Sequence, residues 1–102
     1  MVLIQLLLPM FHNDGKPVSG ELLSAVHHEL MERFGGLTVY SRAPAEGMWR
    51  DAAAHKVQDE LLLFEVMVAD LDRTWWTEYR GKLERRFEQQ EVLIRSFAIE
   101  KL

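Results

Sequence analysis

The run Leu61-Leu62-Leu63-Phe64-Glu65-Val66-Met67-Val68 is apolar at seven of its eight positions. Drawn as a strand, it sends Leu62, Phe64, Val66 and Val68 to one face and Leu61, Leu63, Glu65 and Met67 to the other. Both faces therefore favour leaving water. The rest of the chain offers only two helical patterns, enough to cover one side of a sheet. The uncovered side calls for a second copy, a partner or a ligand.

Working outward from this block, Val2 to Leu8 reads as a first strand whose only polar residue is Gln5. Pro9, with no N–H to donate, ends its regular pairing, and Asn13-Asp14-Gly15-Lys16-Pro17 is a turn cluster. Ser19 is placed to cap a first helix, with Glu21 favourable in its first turn. Leu22, Leu23, Val26, Leu30, Met31 and Phe34 form its apolar stripe. Glu21, His28, Glu29, Glu32 and Arg33 lie mainly off that stripe and read as a solvated face. Gly35-Gly36 is the stop.

Leu37 to Arg42 alternates as a second strand, and Lys56 to Val68 reads as the third and longest. Between them, Ala43 to His55 holds Pro44, Gly47, three consecutive alanines and Trp49, and reads as a loop or an irregular hairpin arm. Asp70 or Asp72 caps a second helix, with Leu71 as a staple. Its stripe is Trp75 or Trp76, Tyr79, Leu83 and Phe87. On its wet face, i,i+4 spacing predicts attraction between Glu78 and Lys82 and mild repulsion between Glu84 and Glu88. Val92 to Ile99 is the fourth strand.

Right-handed crossovers then put strands one and three at the centre of an antiparallel sheet of order 4-1-3-2. The β-α-β-β-α-β order, an α+β arrangement over a single domain 1–102, resembles the ferredoxin-like plan. The helix side takes Val2, Ile4, Leu6, Leu8, Leu62, Phe64, Val66 and Val68, with Ile94, Ser96 and Ala98 at the edge. Small Ser96 and Ala98 are expected to leave room for bulky residues such as Phe34 or Trp76. The opposite face takes Leu3, Gln5, Leu7, Leu61, Leu63, Glu65, Met67, Arg95, Phe97, Ile99, Thr38, Tyr40 and Arg42. Roughly eight of these are sizeable and apolar, a patch rare on a monomer. A homodimer, sheet face to sheet face about a two-fold axis, is the simplest cover.

In that respect the chain resembles the dimeric α/β-barrel class of ferredoxin-like domains. That class includes small cofactor-independent monooxygenases, Dyp-type and chlorite-dismutase-like haem proteins, and stress-response dimers. Phe34-Gly35-Gly36-Leu37-Thr38-Val39 and Glu46-Gly47-Met48-Trp49-Arg50 also resemble small uncharacterised bacterial proteins of the class. The resemblance implies fold and pairing. No residue here matches the haem-ligating histidine of the haem members, so no catalytic residue and no cofactor are carried over.

Composition narrows the classes further. Net charge is -4 with acidic and basic residues interleaved, so no basic stripe points to nucleic acid. With no cysteine, disulfides, thiol nucleophiles and thiolate-bound zinc are excluded, and a reducing cytoplasm is the expected setting. The apolar start, Met1 to Met10, lacks the basic flank and small-residue cleavage pattern of a signal peptide. No run reaches the roughly 20 apolar residues that span a bilayer.

Glu65 is the strongest single candidate for chemistry, a carboxylate between Leu63 and Met67 on a central strand. It reads as a structural pair fixing dimer register, or as an acid/base or ligand anchor. Gln5, Arg95 and Arg42 are placed to reach it. Tyr40, Arg42, Trp49 and Arg50 combine aromatic and guanidinium groups, the chemistry of interface hot spots and of anion capture. Tyr40, Arg42 and Trp49, with Gln5, Glu65 and Arg95, make the candidate ligand set. Of the four histidines, His27 and His28 diverge by about 100° on a helix and cannot easily share a metal. His12 and His55 lie in loops, and no metal site is expected. No Gly-rich phosphate loop or nucleophile elbow is present. Three functions fit: a homodimer binding a small, partly apolar or anionic ligand at the sheet face; a cofactor-independent monooxygenase- or isomerase-like enzyme; and a pure interaction module.

Overall fold

A computed structural model describes residues 1–43 and 61–102. The elements run β1 (Val2–Pro9), α1 (Gly20–Phe34), β2 (Thr38–Ala43), β3 (Leu61–Val68), α2 (Arg73–Arg86) and β4 (Leu93–Ala98). The strands form one antiparallel sheet of order β2-β3-β1-β4, the ferredoxin-like arrangement. The expected loop from residue 44 onward, and the first five positions of the expected third strand, lie outside the described residues.

The central pair sets the layers. Ile4 stands opposite Val66, Leu6 opposite Phe64 and Leu8 opposite Leu62, all buried. Val26 and Leu30 of α1, and Trp76, Tyr79 and Leu83 of α2, complete the core above them. Because strand side chains alternate, every second residue of β1 and β3 goes to the core and the others to the open face.

The helix ends follow the capping signals. The Ser19 hydroxyl accepts from the Leu22 N–H at 3.3 Å. Gly35 takes φ 74°, and its N–H donates to the Met31 carbonyl at 2.8 Å, a left-handed C-terminal turn that favours glycine. For α2 the cap is Asp72, whose carboxylate accepts from the Trp75 N–H at 3.0 Å. Leu71 packs against the core beside it.

Four expectations are corrected, the last of them at Glu29. Ser96 and Ala98 are exposed rather than covered by helix aromatics. Phe34, Trp75 and Trp76 gather on one another instead: Phe34 stacks on Trp76 at 5.3 Å and meets Trp75 edge-on at 5.3 Å. Ring-on-ring packing is worth more to these side chains than covering a small edge residue. Second, α2 ends at Arg86, so Glu88 sits in a turn at φ 53° and is no longer an i,i+4 neighbour of Glu84. The Glu84 carboxylate accepts from the Val92 N–H at 3.1 Å and fixes the return to β4. Third, Lys82 turns away from Glu78 and donates to Glu29 at 3.0 Å.

Glu29 is not part of a solvated face. Arg86 grips both its oxygens, Nη1 at 2.6 Å and Nη2 at 3.1 Å, while the Tyr79 hydroxyl donates at 3.1 Å. This clamp joins the two helices. The Arg86 hydrogen bonds, with help from Lys82, outweigh partial burial and hold the Glu29 carboxyl down at about 2, against an ordinary 4.5. Burial first, and the Glu29 charge second, push the Tyr79 hydroxyl up.

A depressed carboxylate contributes stability that is fully present above its unfolded pKa and is lost as pH falls through the folded one. Urea denaturation of Glu29→Gln is therefore expected to show a deficit of about 1–2 kcal/mol at neutral pH. The deficit should shrink from pH 4.5 downward and vanish near pH 2. A pH-independent deficit would remove the ionised carboxylate from this role.

Candidate functional site

On the open face the register lines up a single polar row. Gln5 of β1 stands opposite Glu65 of β3 on one side and Arg95 of β4 on the other, and Thr38 of β2 stands beyond Glu65. Gln5 Nε2 donates to Glu65 Oε2 at 2.6 Å, and Arg95 Nε donates to Gln5 Oε1 at 2.8 Å. Adjacent strands are about 4.8 Å apart, so Arg95 and Glu65 are roughly 10 Å apart at the backbone. Gln5 bridges what a direct ion pair would have to stretch across.

The chemistry of the two ends fixes the amide in the middle. A guanidinium only donates and a carboxylate only accepts, so the Gln5 oxygen must face Arg95 and its nitrogen must face Glu65. Each bond polarises the next, and the chain is stronger than two isolated amide contacts. Glu65 and Gln5 are half-buried, while Arg95 is exposed, its Cζ 5.6 Å from the Phe97 ring.

Apolar rows flank this polar one. On one side Leu3 lies between Met67 and Phe97; on the other Leu7 lies between Leu63 and Leu93, with Tyr40 beyond Leu63. Met67, Phe97, Leu93 and Tyr40 are 53%, 43%, 44% and 48% exposed, so the open face leaves large apolar groups in water. Leu93 belongs to this face by the same alternation that places Arg95 and Phe97. The parity of β4 was a sufficient signal for it.

The structure thus brings together Gln5, Glu65 and Arg95 of the expected ligand set. Tyr40 does not join them: it faces Leu63, the next position along the same face from Thr38. The backbone of Arg42 belongs to β2, but the contacts expected of its side chain lie outside the described residues, as do Trp49, Arg50 and His55. Trp75 and Trp76 serve the helix pair. Trp76 is buried, and Trp75 stacks on Tyr79 at 4.8 Å with the Arg33 guanidinium 4.4 Å from its ring.

His28 pairs with Glu32 at 3.5 Å on the exposed side of α1. Among the described residues no group of three or more His, Asp or Glu side chains is placed to hold a metal ion. No helix among them is long and apolar enough to cross a membrane.

Removing the bridge should be felt in stability. Gln5→Leu leaves the Glu65 carboxylate half-buried without its donor, and is expected to cost about 1–3 kcal/mol in chemical denaturation. Gln5→Glu should cost more, since it sets two carboxylates face to face on adjacent strands. If both variants match the parent, the row is decorative. Comparisons with protein-family models, with curated proteins and with solved structures each find no match to this chain.

Proposed function

We propose that this domain works as a homodimer that closes its open sheet face against a second copy, as in the dimeric α/β-barrel class. The observation that carries this reading is the polar row lying inside an apolar face. Exposed leucine, methionine and aromatic side chains on both sides of the row favour leaving water. The row itself gives the contact a direction.

The direction follows from its charge. Positive Arg95 and negative Glu65 stand one strand to either side of Gln5. Two sheets packed face to face keep their strands roughly aligned, and the two-fold axis lies between them. An axis across the strands would set Arg95 over Arg95 and Glu65 over Glu65 of the second copy. An axis along the strands, passing by Gln5, sets Arg95 over Glu65 of the second copy at both ends of the row. Like charges brought together without water are costly, and opposite charges fix register. The second arrangement is therefore the one that this face supports.

The exposed Arg95 guanidinium beside Phe97 also favours a second reading, in which a small, partly apolar anion binds the same face. It would approach Arg95 with its charge and the flanking leucines with its body.

Sedimentation equilibrium at micromolar concentration tests the assembly. A mass near 11.9 kDa would falsify it, and twice that mass is expected. The axis is tested by charge reversal. Glu65→Arg and Arg95→Glu alone should each weaken the dimer by tenfold or so, about 1.4 kcal/mol. The double variant should regain most of the loss, because a flipped Gln5 amide serves the reversed row equally well. Additive losses in the double variant would rule out the axis along the strands.

A further inference from the structure

Beyond the polar row, past Leu7, the open face ends in a cleft of about 540 Å3. That is within the usual size of a small-molecule site, roughly 300–1,000 Å3. Leu7, Leu61 and Leu93 line it, joined by Phe11, His12 and Glu91. These residues come from separate segments, and only the fold brings them together.

His12 is held firmly there. Its N–H donates to the Lys16 carbonyl at 2.8 Å, and its own carbonyl accepts from the Gly15 N–H at 2.9 Å. Gly15, at φ 84°, closes the turn in a conformation that favours glycine. The imidazole is mostly buried, with 20% of the side chain exposed. Its Nδ1 lies 3.3 Å from the Phe87 carbonyl oxygen and 3.8 Å from a Glu88 carboxylate oxygen. Both neighbours only accept hydrogen bonds. Nδ1 must therefore carry the hydrogen, which leaves Nε2 of the neutral ring as an acceptor. Glu88 reaches this position from a left-handed backbone at φ 53°, a conformation that side chains other than glycine rarely adopt.

The charge around the cleft is one-sided. Glu91 lines it and Glu88 stands behind the imidazole, while no Lys or Arg is among its described lining residues. An anion meets repulsion there and finds no donor on His12.

We propose that this cleft binds a small molecule with an apolar body, an O–H or N–H donor and no negative charge. The donor goes to His12 Nε2 and the body lies on Leu7, Leu61 and Leu93. This site is separate from the Arg95 region of the sheet face, and its chemistry is the opposite of anion capture. Its Leu7 and Leu93 also belong to the sheet face proposed above to pair, while Phe11, His12 and Glu91 lie outside the four strands.

Nitrogen-detected NMR of the histidine rings in the full chain tests it at a pH where His12 is neutral. The probes are 4-methylphenol, benzylammonium and 4-methylbenzoate. The free protein should show His12 with hydrogen on Nδ1 and an unprotonated Nε2. 4-Methylphenol, benzylammonium or both should move the Nε2 resonance and the Leu7 and Leu93 amides saturably, and so identify the donor as hydroxyl or ammonium. 4-Methylbenzoate should leave them unmoved. His12→Phe, which keeps an aromatic side chain but loses both ring nitrogens, should weaken binding by about tenfold. Hydrogen on Nε2, no saturable shift with either donor, an equal response to the benzoate, or undiminished binding to the Phe variant would each overturn the proposal. The tautomer measurement needs no variant, so a misfolded His12→Phe would not rescue it.

Discussion

The register between β1 and β3 is the constraint on which the rest of the molecule depends. Eight pairs run from Val2 opposite Val68 to Pro9 opposite Leu61. Both strands are apolar on both faces, so hydrophobic alternation alone distinguishes a one-residue slip poorly. A slip would exchange Leu6 and Leu8 for Leu7 and Pro9, with little change in greasiness. The residues that break this degeneracy are Gln5 and Glu65. In the observed register their side chains share a face and bond to each other. Were either strand turned over, one of them would enter the core beneath Leu30 and Leu83 without a partner, a costly burial. The same two polar side chains that interrupt the open face thus tell the strands which way to lie.

Much of this was readable from residue order. The strand and helix patterns, the turn at Gly15, the Ser19 cap and the Gly35 stop are local signals, written within a few residues of where they act. Gln5 and Arg95 as partners of Glu65 were also readable, because a known strand order with fixed alternation turns sequence positions into neighbours. The Glu29 clamp was not. Its partners lie 50 to 57 residues away, and on a helical wheel Glu29 sits at the border of the apolar stripe, where charge usually means solvent. The spacing of Tyr79, Lys82 and Arg86 did carry a signal: three donors at helical spacing on one face of α2 ask for an acceptor on the element packed beside it. His12 left no such trace. Its partners are the carbonyl of Phe87 and the carboxylate of Glu88, and both positions depend on how α2 ends, a detail that helix periodicity does not fix.

The two charged arrangements play different parts. Around Glu29, a bidentate guanidinium, an ammonium and a phenol converge on one carboxylate at the helix surface, and the result is adhesion between α1 and α2. Across the sheet, Arg95 and Glu65 are kept apart by a neutral amide. That separation leaves guanidinium nitrogens and a carboxylate oxygen with hydrogen-bonding capacity beyond the row. A fully satisfied pair would fix the fold and offer a partner nothing. A pair held one strand to either side of Gln5 fixes the fold and leaves polarity on the open face.

Geometry then links the row to the cleft. Leu7 follows Gln5 on the same face, so the cleft opens at the end of the sheet to which β1 runs. A two-fold axis along the strands leaves position along the strand unchanged. Both His12 clefts would then lie at the same end of a pair, with the Leu93 edge of one sheet over the β3 side of the other. An axis across the strands would send the clefts to opposite ends. In such a pair, the sign of the charge at Arg95 and Glu65 would therefore bear on more than the register of a contact: through the axis it favours, it would set whether the two proposed clefts lie together at one rim or at opposite ends.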